Sequence, residues 1–232
     1  RNAFAVTRPE EQREIFEGSF TGPVGNGKRT SFLVSANYER FDRQSVIFAR
    51  TLSGDVRENF PRPERNTFIS ARLNHQLTEK HQLSLRYEFT DDVSDGIGPG
   101  GFRLPETAAD TSNREHHFYI QTRSVLSPRL VNELQTRSGH HYTPTTSRLP
   151  GPPRIIVLDS FTGGGAQADR LSTETHTQFH DVLTWSAGKH LLKAGISSPD
   201  ISRRGENDHT NFTGTFYFSS LDDYSAGRPY SF

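Results

Sequence analysis

The feature that most restricts the fold is a paired alternation around a short turn. Ile69, Ala71 and Leu73 interleave with Ser70, Arg72 and Asn74; after Thr78-Glu79-Lys80, Leu83, Leu85, Tyr87 and Phe89 interleave with Ser84, Arg86 and Glu88. A period of two sends successive side chains to opposite faces of a strand, so this hairpin has one apolar and one charged face. Three more turns, near residues 25, 128 and 187, each separate two runs of similar character. The first pair covers roughly residues 11–22 and 30–41, joined by a turn containing Asn26-Gly27, a strong hairpin signal. The third covers residues 115–126 and 130–140 about Ser127-Pro128-Arg129, and the fourth residues 173–185 and 190–196 about Ser186-Ala187-Gly188-Lys189.

The turns lie about fifty residues apart, and the connections between pairs are roughly twenty to thirty residues long. Short turns at one end and long polar connections at the other are the pattern of an outer-membrane barrel. The expected fold is all-β: an antiparallel up-and-down meander, part of a large transmembrane β-barrel, with short periplasmic turns and long extracellular loops. A soluble sandwich or propeller-like array also repeats short strands, but loops of such length are uncommon in compact soluble domains.

Composition fits this reading. Only 31% of the residues are hydrophobic and the mean hydropathy is −0.71, thin for an ordinary core but natural for strands whose second face meets water. Low hydropathy also marks disorder; the period-two pattern and the aromatics argue for ordered strands. No apolar run approaches the length of a spanning helix. The 27 basic residues balance 27 acidic ones, leaving no global field toward nucleic acid. Cysteine is absent, which excludes disulfides and thiolate chemistry; methionine is absent too, even at position 1, as expected of a piece of a longer protein.

Several stretches together resemble the barrel region of TonB-dependent outer-membrane receptors, particularly the Oar-like group. They are Ile15-Phe16-Glu17-Gly18-Ser19-Phe20-Thr21-Gly22-Pro23-Val24 with Lys28-Arg29-Thr30-Ser31-Phe32; Leu73-Asn74-His75-Gln76-Leu77 with Lys80-His81-Gln82-Leu83-Ser84-Leu85-Arg86-Tyr87; Ser127-Pro128-Arg129-Leu130-Val131-Asn132-Glu133; Trp185 with Gly188-Lys189-His190; and Phe212-Thr213-Gly214-Thr215-Phe216-Tyr217-Phe218 with Asp223-Tyr224 and Gly227-Arg228-Pro229. The resemblance implies that residues 1–232 are a partial barrel of about eight strands plus an extracellular segment. The family's plug, its TonB-engaging segment and the C-terminal strands would lie outside it. It also implies outer-membrane location and energised uptake of a large or scarce solute. The implied partners are outer-membrane lipid, the rest of the barrel and its plug, the TonB complex and an unknown solute; no nucleic acid is expected. A soluble or surface-attached β-rich binding module and a passive porin-like barrel are the alternatives. One departure is Ser197-Ser198-Pro199-Asp200, where the family's strand would continue; Pro199 removes a ladder donor and predicts a break or insertion.

On the best hairpin, Ile69, Ala71, Leu73, Leu83, Leu85, Tyr87 and Phe89 are expected to face lipid, and Arg72, Arg86 and Glu88 to line the lumen. Of the ten histidines, His116-His117, His140-His141 and the His176/His180 pair invite a metal reading. Adjacent strand residues point to opposite faces, however, and residues four apart along a strand are about 13 Å apart. Neither spacing chelates alone, so no metal site is expected. Asp91, Asp92, Asp95 and Gly96 lack the calcium-loop ligands, Val93 and Phe102 standing at the third and twelfth positions; a solvated acidic loop is expected. Gly98-Pro99-Gly100-Gly101 and Gly163-Gly164-Gly165 match no phosphate fingerprint and are expected to be flexible tips. No nucleophile motif is present, and neither an enzyme nor a cofactor is expected.

Overall fold

A computed structural model describes residues 5, 7–25 and 27–232; the opening Arg1-Asn2-Ala3 and Asn26 of the first turn lie outside the described residues. The alternating runs form one antiparallel sheet. Its strands are β1 (Gln12–Pro23), β2 (Thr30–Thr51), β3 (Gly54–Thr78), β4 (His81–Ile97), β5 (Ala109–Ser127), β6 (Leu130–Ser147), β9 (Arg170–Ala187) and a final strand in two parts, β10 (His190–Ser197) and β11 (Ile201–Asp208). Each pairs with the next in chain order, and β10 and β11 both pair with β9. The loop from β6 to β9 contributes β7 (Arg154–Val157) and β8 (Phe161–Gly164). With β12 (Thr215–Phe218) these form a small second sheet, β12 parallel to β7 and β7 antiparallel to β8, followed by the short helix α1 (Leu221–Ser225).

The strands run further than the sequence pattern predicts. The expected loop over residues 42–68 is a ladder: β2 and β3 stay paired from Thr30↔His75 to Thr51↔Gly54 and turn through Leu52-Ser53 alone. Polar residues and Pro61 and Pro63 hide it from a hydrophobic pattern. The prolines, two residues apart, direct their missing donors to one edge, and β4 pairs with β3 only up to Glu64↔Ser94, so that edge is free of a ladder where they stand. The acidic stretch expected as a loop is also strand: Asp91 and Asp92 lie in β4 opposite Arg114 and Asn113, and Asp91 pairs with Arg114 at 3.0 Å. At Pro199 the expected break is present: β10 ends at Ser197 and β11 begins at Ile201, beyond which pairing with β9 resumes. Ser197 faces His180 and Ile201 faces Thr177, so four steps on one strand span three on the other, a bulge of one residue. There the Phe179 N–H donates to the Ser198 hydroxyl at 2.9 Å, and the Ser198 N–H donates to the Phe179 carbonyl at 2.9 Å.

Ile47, Ala49, Leu104, Val157, Phe161 and Phe218 form a buried core above the polar face of the sheet. Ile47 and Ala49 stand on the same face of β2 as Leu33, whose partner on β3 is Arg72, so the outer connections fold over the side that carries Arg72 lower down. They are laced to the upper edge of β2: Phe48 N–H donates to Gly101 O, Gly101 N–H to Val46 O and Arg50 N–H to Ser160 O. Glycine makes this close approach feasible. At Gly164, φ is 75° and an added Cβ would run into the Pro153 carbonyl. Gly163-Gly164-Gly165 is therefore a packed segment, not a flexible tip, while the exposed Gly101 of the other cluster is tied to β2 by its backbone hydrogen bonds.

The base of the β6–β9 connection is closed by polar contacts. The Ser147 N–H donates to Asp169 and the Ala168 N–H returns to the Ser147 hydroxyl. Arg148 Nε donates to both Asp110 oxygens, at 2.9 and 3.0 Å, and the Gly96 N–H donates to Asp110 at 2.7 Å. The Arg148 hydrogen bonds hold the Asp110 carboxyl below its ordinary range; partial burial opposes the shift and the Gly96 amide adds to it. A lowered native value gives stability that is present above the unfolded value of about 3.9 and is lost as pH falls through the native one. We expect amide protection in residues 148–169 to drop below about pH 4 in the native chain, and Asp110→Asn to show reduced protection at neutral pH with a flatter acid profile. Identical profiles for the two chains would show that this clasp does not hold the connection.

Candidate functional site

The register assigns every strand residue to one of two faces. Across β3 and β4, Ile69 stands opposite Phe89, Ala71 opposite Tyr87 and Leu73 opposite Leu85, and Leu83 faces His75. The row extends to Phe32, Val34 and Ala36 on β2, and to Phe118 and Ile120 on β5. Further along come Leu134 on β6, Phe179, Leu183 and Trp185 on β9, and Leu192, Ala194 and Ile196 on β10. All seven residues expected on the lipid side thus share one continuous face.

This face is apolar over a limited height. On β2 it runs from Thr30 to Tyr38, on β3 from Thr67 to His75 and on β4 from His81 to Phe89; the next residues outward on the same face are Arg40, Arg65 and Asp91. About nine residues per tilted strand is what the hydrocarbon of a bilayer requires. Rings gather at its borders. Phe20 and Phe32 lie 5.3 Å apart near the short turns, and Trp185 stands close to its own turn. At the outer border Phe16 approaches Tyr38, Phe89 approaches His116, and the Tyr87 hydroxyl and His116 Nδ1 are 2.8 Å apart. Such girdles flank the apolar band of membrane barrels. Asp181 is an exception on this face and accepts a hydrogen bond from Asn132 at 2.7 Å.

The opposite face carries Arg72, Arg86 and Glu88 together. Arg72 stands across from Arg86, and Ser70 from Glu88. Arg72 Nε donates to Ser84 Oγ, and Arg86 lies 3.5 Å from Glu88. The Tyr119 ring has the Arg86 guanidinium 4.0 Å and the Arg137 guanidinium 5.7 Å from its centroid. These cations with Gln121, Gln135, Gln178 and His180 border a depression of about 480 Å³. It offers guanidinium and amide donors around an aromatic ring, suited to anionic or carbonyl-rich groups, and no nucleophile paired with a base.

Above the depression the sheet assembles residues that sequence spacing left apart. His117 on β5 faces Gly139 on β6, and Gly139 faces His176 on β9; His141, two residues further along β6, stands on the same side between Glu115 and Glu174. The three imidazoles offer ring nitrogens within 4.8 Å of one another. Their sequence neighbours His116 and His140 point to the other face, as alternation requires. Residue spacing along one strand could not reveal this cluster. The usable signal was the pairing register: one member of each histidine pair, together with a lone glycine, falls on adjacent strands at one height.

The model of the outer membrane β-barrel domain family matches residues 49–232. Among solved structures, the siderophore receptor PiuA from Acinetobacter baumannii is similar at 10% identity and a TM-score of 0.43, over 86% of this chain and 40% of that one. The chain therefore spans well under half the length of that receptor. No curated protein matches it in sequence. With the match covering most of the chain, and an apolar band of bilayer height on one face of its sheet, the protein belongs to the outer membrane β-barrel domain family and resides in the bacterial outer membrane.

Proposed function

We propose that the chain is an arc of the wall of a TonB-dependent receptor barrel, which takes up a large or scarce solute with energy delivered from the inner membrane. The observation that carries this reading is the open sheet. Its outer strands, β1 on one side and β10 with β11 on the other, do not pair with each other among the described residues. Unpaired backbone groups are not tolerated in hydrocarbon, so each edge requires a further strand and the complete barrel is wider than eight. A wide lumen needs a plug if it is not to leak, and a plug distinguishes an energised receptor from a passive porin. The folded outer connections over the interior face supply a preformed surface for solute capture. In this reading the partners are lipid, the remaining strands and plug, TonB and the solute, and the chain's role is structural and ligand-binding, not catalytic. The soluble binding module is disfavoured by the exposed apolar band, which continues across adjacent strands through Val34, Ile69, Leu85, Phe118, Phe179 and Trp185.

Two measurements test this. The full-length product of the reading frame, purified in detergent, should bind the isolated periplasmic domain of TonB and give little conductance in planar bilayers; absence of binding with steady open conductance would favour the porin. Separately, Leu85→Arg places a charge near the middle of the apolar band and should cost about 2–4 kcal/mol of folding stability in lipid vesicles, whereas Arg72→Leu should cost far less. Equal effects would contradict the assignment of faces.

A further inference from the structure

We propose that His117, His141 and His176 form a three-nitrogen site for a divalent transition-metal ion on the interior wall of the barrel. It does not depend on the energised-uptake reading, only on the sheet register. The three ring centroids are 5.1, 5.2 and 5.6 Å apart, and the candidate ligand nitrogens all lie within 4.8 Å of one another. Metal–nitrogen bonds of about 2.0–2.1 Å in a tetrahedral site place ligand nitrogens roughly 3.3 Å apart, within reach of small side-chain rotations.

The surroundings prepare the rings for a cation. Glu115 lies 3.2 Å from His117 Nε2 and 3.4 Å from His141 Nδ1. An ionised carboxylate only accepts, so the ring nitrogen facing it must carry the hydrogen, and the opposite nitrogen of each neutral imidazole keeps its lone pair. On His117 that opposite atom is Nδ1, which is buried and has no hydrogen-bond partner. A buried lone pair without a donor is costly, and a metal ion would satisfy it. A carboxylate behind a ligating histidine is the usual orienting arrangement at metal sites.

Gly139 makes the space. It stands between His117 and His176 across the ladder, and a Cβ there would lie 2.6 Å from His117 Nδ1 and against the His176 ring. Any other residue would occupy the volume into which both rings turn. His117 and His176 are buried while His141 is partly open, so access comes from the His141 side. Glu174 is engaged by Arg204 at 3.1 Å and is not free to act as a fourth ligand. The remaining coordination position is left to water or to a donor group of a solute. An all-imidazole set of borderline softness suits zinc, copper(II) or nickel, and not calcium or magnesium.

The test is titration of the full-length product of the reading frame, purified in detergent and stripped with chelator, with Cu²⁺ and Zn²⁺. The expected result is one ion per chain, and a Cu²⁺ electron paramagnetic resonance spectrum with splitting from three nitrogens. The substitutions His117→Gln, His176→Gln and Gly139→Val should each abolish that signature, and Glu115→Gln should weaken binding about 10–100-fold. His116→Gln and His140→Gln, on the opposite face, should leave it unchanged; heat-modifiable migration on gels reports that each variant is folded. Absence of one-to-one binding by the unaltered chain, a spectrum without multiple nitrogens, or equal loss in the His116 and His140 variants would each overturn the proposal.

Discussion

In hydrocarbon a peptide group has no water to fall back on, and a backbone donor or acceptor left unpaired there costs several kcal/mol. For a chain with no apolar helical run, the remaining solution is a sheet in which each strand has a neighbour on both sides. That constraint sets the simple order of β1 to β6, β9 and β10 with β11, each strand beside its predecessor. It also explains the treatment of Pro199. A proline in a lipid-level strand would orphan its neighbour's groups, but the Ser198 hydroxyl takes the Phe179 N–H and the bulge restores the ladder within three residues.

The same ladder produces both functional surfaces, because between its few bulges the pairing carries alternation from strand to strand. One face is a band of Leu, Phe, Ile and Val of bilayer height; the other is a wall of guanidinium, amide and imidazole groups. Side chains many residues apart become neighbours about 5 Å apart at one level of the wall. The Arg86–Tyr119–Arg137 stack and the three-histidine cluster are both products of this lateral adjacency, each drawn from three neighbouring strands. Above the bilayer water can satisfy the backbone again, and there the chain departs from the meander to build a conventional core around Ile47 and Phe161.

The sequence made the lower half of the molecule readable and the upper half not. Alternation depends on contrast between faces, and contrast is strong only where one face meets lipid; residues 30–38 and 69–89 therefore announce their strands and their orientation. Beyond Tyr38 the contrast between faces is lost, with charged residues on both and the run Val46-Ile47-Phe48-Ala49 apolar on both, so the extension of β2 and β3 through residues 42–68 carries no period-two signal although its ladder is continuous. Asp91 and Asp92 looked like loop for the same reason. The glycines at 163–165 suggested flexibility by composition, whereas close backbone approach requires them. The histidine cluster was hidden differently: neither adjacent histidines nor histidines four apart can chelate along one strand, and spacing alone does not reveal which strands lie side by side at which register. The placement of Arg72, Arg86 and Glu88 on one face followed directly from the pattern.

The central claim is that one face of the sheet meets lipid and the other water. These residues contain no cysteine, so in an otherwise cysteine-free full-length barrel a single introduced cysteine is a unique reporter, and a nitroxide scan through residues 83–89 and 117–122 in lipid vesicles measures this directly. The account predicts an accessibility that alternates with period two, with Leu85, Tyr87, Phe118 and Ile120 exposed to oxygen in the bilayer and Arg86, Glu88, Tyr119 and Gln121 exposed to a water-soluble relaxing agent. Uniform aqueous accessibility, or alternation of the opposite phase, would contradict it.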